Sequence, residues 1–443
     1  MSTGTIEPAV ERPSLGELVR VFGKIGLISF GGPAGQIALM HRVLVEEKKW
    51  LDEPRFLHAL NYCMMLPGPE AMQLATYAGW LLHGVRGGLI AGLLFVLPGA
   101  LVLVALSALY LALGEVTIVE GLLFGLKAAV LAVVLEALVK VSRRALKNSL
   151  MVTIAAAAFI GIAFLQIPFP VIILSAAAIG AMVHWLVPGE PAGPQANPTA
   201  MPHVGDTSFG RFAATAATWL AIWLVPLLLL ALLLGSQHVY TLQAGFFSIM
   251  AAVTFGGAYA VLAWVAQQAV EVYGWLRPDE MLTGLGLAET TPGPLILVLL
   301  FVGFLGGARL SGLEPFAGGI GGALGALWFT FVPCFLWIFA GAPFIERLRD
   351  VKWLSAALTA VTAAVVGVIA NLALWFGLHV LFARLDEAAA GPFRILVPDA
   401  ASFDPAAGMI ALAAAIALMV LKLNLLAVLA AAALAGMGWM VLV

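Results

Sequence analysis

The chain contains few charged residues and two cysteines, and both observations limit the class of protein to which it can belong. Charged residues make up 10% of its 443 residues, whereas a soluble globular protein has about 25%. A helix needs about 20 apolar residues to cross a bilayer. Apolar runs of that length occur at 88–113, 116–139, 212–234, 318–341 and 354–381. We therefore expect an all-α polytopic membrane protein rather than a soluble domain.

The two cysteines, Cys63 and Cys334, have no metal-binding or redox spacing. They lie in apolar sequence and are expected to be buried small side chains. No basic tract indicates a nucleic-acid partner. No metal cluster, cofactor or nucleophile–base pair is predicted, so the chain is not expected to be an enzyme. The polar stretch up to Ser14 lacks the apolar region and cleavage site of a signal peptide.

What the chain does contain is one segment that occurs twice. Residues 22–69 and 247–294 align without a gap at an offset of 225, with 14 identities in 48 positions. The shared motifs are Phe30-Gly31-Gly32 with Phe255-Gly256-Gly257, Trp50-Leu51 with Trp275-Leu276, and Pro67-Gly68-Pro69 with Pro292-Gly293-Pro294. After the segment the offset grows to 235, so that Pro98 matches Pro333. A duplicated half interrupted by paired Gly/Pro motifs is typical of a secondary transporter.

The duplication predicts the domain boundaries. We expect a first repeat over 1–187, a polar Pro/Gly linker over 188–211, a connecting transmembrane helix over 212–234, and a second repeat over 235–443. Each repeat is predicted to contain two broken, re-entrant helical hairpins, and the chain as a whole nine full spans.

The placement of basic residues predicts that the repeats are inverted. In the first repeat, Lys and Arg cluster at 42–55 and 140–147. In the second repeat they cluster at 346–352, which matches a loop of the first repeat that has none. Positive charge is retained on the cytoplasmic side. We therefore expect opposite orientations in the inner membrane, with the N-terminus in the cytoplasm.

The Gly/Pro motifs are predicted to break helices in the middle of the hairpins. Proline lacks an N–H group and glycine relaxes the backbone. Irregular backbone inside a bilayer is tolerated only where protein buries it or it lines a cavity. A helix that restarts after a break presents free N–H groups, which suit an anion. The breaks could instead be kinks that serve helix packing. However, each copy has two breaks at matched positions, and this repetition favours an anion site at which four helix ends meet.

Polar residues beside the breaks are asymmetric between the copies. Glu70, Gln73 and Tyr77 share one helix face after a break in the first copy, and their second-copy equivalents are apolar. Glu70 and Glu289 are candidate proton carriers, because a carboxylate inside the membrane is a functional candidate by default. Glu70 could alternatively only complement the helix dipole.

Lys127 lies deep within a predicted span, where it could attract the anion or pair with Glu120. The predicted substrate-binding residues are Ser29, Phe30, Gly31, Gly32, Gln36, Asn61, Pro67, Gly68, Pro69, Gln73, Tyr77, Lys127, Thr254, Gly256, Gly257, Thr290, Thr291, Pro292, Gly293 and Pro294.

Taken together, these motifs resemble the chromate ion transporter family. The first-half resemblance rests on SFGGPAGQIA (29–38), on the loop that ends in Lys49-Trp50-Leu51, and on LPGPEAMQLATYAGW (66–80). The second half agrees through TFGGAYAVL (254–262), TPGPLILVLLFVGFLGG (291–307) and LSAALTAVTAAVVGVIANLALWF (354–376). Met72 departs from the family pattern, in which a second glutamine is expected.

The resemblance implies the long-chain, two-domain form of the family. Such a protein would export chromate, driven by the membrane potential or protons, and confer chromate resistance, with sulfate as a competing dianion. Uptake or channel conduction of sulfate or another anion is the alternative, and a membrane-embedded enzyme or sensor a remote one. The implied partners are a small inorganic oxyanion, the lipid bilayer and, in one arrangement, a second copy in a homodimer.

Overall fold

The structure is a computed structural model that describes residues 13–186, 208–255, 257–342, 352–391 and 393–442. Within these ranges the prediction of an all-α membrane protein is confirmed. Seven of the helices are long and apolar enough to cross a membrane, and five further apolar helices are shorter. Most of the predicted linker falls outside the described residues.

The helices of the first half are α1 (Leu15–Leu27), α2 (Gly32–His41), α3 (Glu53–Met65), α4 (Glu70–Leu113), α5 (Thr117–Ala145), α6 (Ser149–Ala163) and α7 (Phe169–Leu186). Those that follow the linker are α8 (Phe209–Leu234), α9 (Val239–Val253), α10 (Ala258–Gln267), α11 (Pro278–Glu289), α12 (Val298–Leu310), α13 (Pro315–Gly341), α14 (Lys352–Leu381), α15 (Pro405–Ala415) and α16 (Leu425–Leu442).

The duplicated segment folds alike in both copies, down to single hydrogen bonds. A π-helical turn follows α2 and another follows α10, over Arg42–Glu47 and Gln268–Val272. After the first turn, the Leu44 carbonyl accepts bonds from the N–H groups of residues 50 and 51, at 2.9 and 3.2 Å. After the second, the Ala269 carbonyl accepts them from residues 275 and 276, at 2.7 and 3.3 Å. The Trp-Leu pair is thus anchored in the same way twice.

Helix α4 is two antiparallel arms rather than one long rod. His83 and Gly84 leave the helical conformation, and Gly84 has a φ of +60°. A Cβ on Gly79 would lie 2.3 Å from the Gly87 carbonyl oxygen, although eight residues of straight helix span about 12 Å. The chain therefore reverses at residues 83–84, and the arm 70–82 corresponds to the arm that α12 forms in the second half.

The two long helices α5 and α14 pack against each other, and the helices that follow each of them in the sequence pack on the other one. Helices α6 and α7 follow α5 but pack on α14, whereas α15 and α16 follow α14 but pack on α5. Small residues allow this close approach, as is usual between membrane helices. A Cβ on Gly125 would lie 1.9 Å from the Ala432 carbonyl oxygen. We call α5, α6, α7, α14, α15 and α16 the frame.

One short β-hairpin follows α14 and was not predicted from the sequence. Its antiparallel strands are β1 (Leu385–Ala390) and β2 (Phe393–Pro398). The Arg394 N–H group donates to the Phe164 carbonyl at 2.9 Å, which fixes the hairpin over the loop between α6 and α7.

Candidate functional site

The helix breaks of the two copies are bonded to each other reciprocally. The Gly293 N–H donates to the Ser29 carbonyl at 2.7 Å, and the Gly68 N–H donates to the Thr254 carbonyl at 2.8 Å. Ser29 matches Thr254 and Gly68 matches Gly293 at the offset of 225, so these two contacts are one contact made twice. Each copy thus donates to the other and accepts from it at matched positions.

Glycine is required at this crossing for its backbone freedom. Gly68 and Gly293 have φ values of +120° and +99°, a region that other residues rarely adopt. A neighbouring arm also presses on each break. A Cβ on Gly99 would lie only 1.9 Å from the Pro292 carbonyl oxygen, and the Cys334 sulfur lies 3.0 Å from where a Gly68 Cβ would be. Protein on both sides therefore encloses the irregular backbone.

Two glutamines of the first copy bind the carbonyl groups that the breaks release. The Gln36 amide donates to the Gly293 carbonyl at 2.6 Å and to the Ser29 carbonyl at 3.4 Å. The Gln73 amide donates to the Pro67 carbonyl at 2.7 Å. The carbonyl oxygens of both amides and the Ser29 hydroxyl are buried without a protein partner among the described residues. Buried polar atoms normally have a partner, so these three are unpaired polar groups enclosed at the crossing.

The helices that restart after the breaks lack side-chain caps. No side chain caps α2 at Gly31, α10 at Gly257, α4 at Pro69 or the 3₁₀ turn after Pro294. By contrast, a side chain caps α1. A Cβ on Gly31, Gly32 or Gly257 would meet nothing within 4 Å. The positive ends of α2 and α10 therefore begin beside open space. Gly256, also predicted for the site, lies outside the described residues.

The second copy places a carboxylate and a tyrosine beside its breaks. The Tyr259 hydroxyl donates to the Glu289 carboxylate at 2.6 Å, and Glu289 is 6% exposed. Sequence reasoning missed Tyr259, although it stands two residues after Gly257, where the first copy has Ala34. The predicted threonines are engaged locally: Thr290 and Thr291 both donate to the Leu287 carbonyl, at 2.8 and 2.7 Å. The Thr254 hydroxyl likewise donates to its own helix, at the Met250 carbonyl.

Four predicted residues lie at the margin of this crossing or away from it. Phe30 is half-buried within its break, and Asn61 is exposed on α3 without a hydrogen bond among the described residues. Tyr77 is 4% exposed and stacks on Trp80 with ring centres 5.6 Å apart. Lys127 makes no ion pair with Glu120 within the described part of the chain, and its charged neighbours include the N-terminal turn of α11. That turn is the opposite end of α11 from Thr290.

An ion pair to a buried carboxylate, which the sequence analysis did not predict, fixes that end of α11. The Glu280 carboxylate is 1% exposed and accepts hydrogen bonds from two nitrogens of the half-buried Arg309 guanidinium, at 2.5 and 2.7 Å. The Arg277 backbone N–H donates to it at 2.8 Å, and the Tyr110 hydroxyl at 3.2 Å. The signal in the sequence was an arginine at the end of an apolar run. Its partner could not be identified, because it lies 29 residues away.

Comparison with known proteins gives a consistent match. The family model described as Chromate transporter matches residues 16–181 and 240–437. The chromate transport protein of Pseudomonas aeruginosa is 31% identical over 83% of this chain and 82% of its own length. The probable chromate transport protein of Synechococcus elongatus is 28% identical over 82% and 85%. The uncharacterized transporter YwrB of Bacillus subtilis is 35% identical over 36% of this chain and 82% of its own length. No solved structure matches the chain.

Proposed function

Because the chain belongs to the chromate transporter family, we propose that it exports chromate across the inner membrane at the crossing of its four helix breaks. A tetrahedral dianion needs compensating dipoles and donors inside the bilayer. The uncapped starts of α2 and α10 and the unpartnered Ser29 hydroxyl are groups of that kind. The reciprocal bonding of the breaks is the observation that carries the proposal, because it puts polar groups of both copies at one place.

The direction and driving force follow from the charge of the substrate. An inside-negative potential favours export of an anion by about 2.3 kcal/mol per charge per 100 mV, and a dianion gains twice that. Export can therefore run on the potential alone. We assign proton coupling, where it occurs, to Glu289 or Glu70, with Glu289 favoured because its hydrogen bond to Tyr259 fixes it beside the second copy's breaks.

The orientation completes the proposal. The reciprocal contacts are consistent with a two-fold axis between the copies, and an axis in the membrane plane would invert them. The opposite charge patterns of the two halves support that choice. Lys140, Arg143 and Arg144 at the end of α5 are exposed, and we place this basic end of α5 in the cytoplasm, where it attracts the dianion before export.

Flux measurement in inverted membrane vesicles tests the function. Radiolabelled chromate should accumulate saturably when the potential is set positive inside the vesicle, and sulfate should compete. The potential and the pH gradient are varied separately. Saturable sulfate flux without chromate flux would move the assignment to another oxyanion. Absence of both would refute oxyanion transport.

A pair of serine variants tests the site. Ser29→Ala removes a buried hydroxyl that has no protein partner, so it should leave stability nearly unchanged. A hydrogen bond to a charged ligand is worth about 1.5–3 kcal/mol, so the KM for chromate should rise roughly 10- to 150-fold. Ser107→Ala is the matched control, since its buried hydroxyl already donates to the Leu103 carbonyl at 2.7 Å. An unchanged KM in Ser29→Ala would remove Ser29 from the site.

A further inference from the structure

The hairpins α2–α3 and α10–α11 occupy equivalent positions in the two copies, yet only one of them is covered. Leu57 on α3 is 46% exposed, whereas the matched Leu282 on α11 is 1% exposed. Met64 is 53% exposed and its match Glu289 is 6% exposed. The two hairpins have the same order of elements, so their own fold does not explain the difference in exposure. The difference must come from what packs against each hairpin.

The frame covers the second-copy hairpin α10–α11 on two sides. Helix α11 packs on α5, where a Cβ on Gly286 would touch the Leu126 side chain at 2.6 Å. Helix α10 packs on α14. Among the described residues, α2 and α3 make no packing of comparable extent with α5 or α14. The molecule is thus closed at one hairpin and open at the other.

The closed contact also shows which residues meet. The Glu271 side chain lies beside Trp375 and Gln267. With Asn371 they line a cavity of about 300 Å³ between α10, α14 and the β-hairpin. These four residues face one another across the cavity, between the end of the hairpin helix and the second half of the long frame helix.

Mapping that contact onto the open copy places opposite charges together. Gln267 and Glu271 correspond to Arg42 and Glu46 at the offset of 225, and Asn371 and Trp375 correspond to Glu136 and Lys140 at the offset of 235. The Glu271–Trp375 contact therefore becomes Glu46 with Lys140. The neighbouring pair becomes Arg42 with Glu136.

Within the described ranges, the ion pairs that these charges make in the open copy are all local. Glu46 lies 3.2 Å from His41 on its own turn, and Lys140 lies 2.6 Å from Glu136 on its own helix. The side chains of Arg42, Glu46 and Lys140 are 59%, 60% and 66% exposed. All are free to change partner without breaking a buried contact.

We propose that the chain has a second state in which the α2–α3 hairpin closes on the frame, latched by Glu46 with Lys140 and Arg42 with Glu136, while α10–α11 releases. The state described is then open toward the basic end of α5. The inference rests on the proposed transport function only in that a transporter must expose its site alternately. Exposed ion pairs are individually weak, so removing one should shift the balance of states by roughly fivefold or less.

Cysteine cross-linking in membranes, with chromate and potential varied, tests the second state. The native cysteines are both buried. The Glu271→Cys/Trp375→Cys pair should cross-link in the open state, and the Glu46→Cys/Lys140→Cys pair in the other. Cross-linking of one pair should prevent cross-linking of the other in a four-cysteine variant. Glu46→Cys/Glu120→Cys is the control, because 20 residues of α5 separate its target from Lys140 by about 30 Å.

The outcomes separate this inference from the assignment of substrate. Mutually exclusive cross-links support the second state whether or not chromate is carried. Chromate flux without any 46–140 cross-link, or with both cross-links forming in one molecule, overturns it and leaves the transport function standing. The charge exchange Glu46→Lys/Lys140→Glu adds a second measurement. Each single charge reversal brings like charges together in the second state, so it should raise cross-linking between residues 271 and 375. The double variant pairs opposite charges again, so its 271–375 cross-linking should return to the wild-type level.

Discussion

The contact between Gly99 and the break at Pro292-Gly293-Pro294 gives the sharpest test of the crossing. A methyl group at residue 99 would sit 1.9 Å from the Pro292 carbonyl oxygen, so Gly99→Ala must push the arm of α4 away from the second copy. Overpacking of this kind costs about 1–3 kcal/mol. Alanine also gains up to about 1 kcal/mol of helix propensity over glycine, which partly masks that cost.

A matched glycine removes this ambiguity. Gly325 lies within helix α13, and a Cβ there meets nothing within 4 Å, so Gly325→Ala should gain the propensity term alone. The difference between the two variants is then the steric cost, about 1–3 kcal/mol. Thermal unfolding in detergent should place Gly99→Ala below Gly325→Ala, and chromate flux in inverted vesicles should fall only in Gly99→Ala. Equal unfolding temperatures and equal flux would refute the interlocking of the copies.

Three further variants probe the polar groups around the crossing. Gln36→Leu leaves the Gly293 carbonyl without its amide donor, while the Ser29 carbonyl keeps the Gly293 N–H; the loss should cost about 1–3 kcal/mol and lower both the unfolding temperature and chromate flux, and unchanged values would show that the amide is dispensable. Glu289→Gln should abolish the response of flux to a pH gradient and preserve the response to potential, and a retained pH response would exclude it as the proton carrier. Arg309→Ala removes two hydrogen bonds from the buried Glu280 carboxylate, which keeps the Arg277 side chain at 3.2 Å as a second partner, and should destabilise the protein by about 1.5–3 kcal/mol. Loss of the 64% exposed Arg277 side chain should cost under about 1 kcal/mol; similar unfolding temperatures for the two variants would contradict this ranking of the two partners.

The breaks could be predicted from the sequence because their cause is local. Gly and Pro change the backbone at their own positions, and the occurrence of the same motifs in both copies distinguishes them from isolated kinks. Long-range pairs left no such signal. Glu289 was singled out, but its partner Tyr259 stands 30 residues away across the hairpin. Helical periodicity predicts that Tyr77 shares a face with Glu70 and Gln73, but periodicity cannot say what that face contacts. Tyr77 contacts Tyr62 and Trp80, and its place in the substrate site stays a prediction.

The symmetric and asymmetric parts of the site follow from different physical demands. A backbone group freed inside a membrane must find a partner, and reciprocal exchange provides one for both copies at once, so each copy must keep the same break. Side chains carry no such constraint. Gln36 and Gln73 in the first copy correspond to Val261 and Val298 in the second, both fully buried.

The two copies therefore contribute different side chains to the crossing. The first copy supplies the amides, and Gln36 binds carbonyl groups of both copies, so one amide stabilises the crossing where symmetry would have provided two. The second copy supplies the carboxylate and tyrosine at positions where the first has Met64 and Ala34. Glu70 directly follows the break of the first copy, so both copies carry a carboxylate beside a break, and they differ in what stands with it: amides in the first copy and Tyr259 in the second. In the function proposed above, this difference gives the dianion and the proton different groups on the two sides of one site.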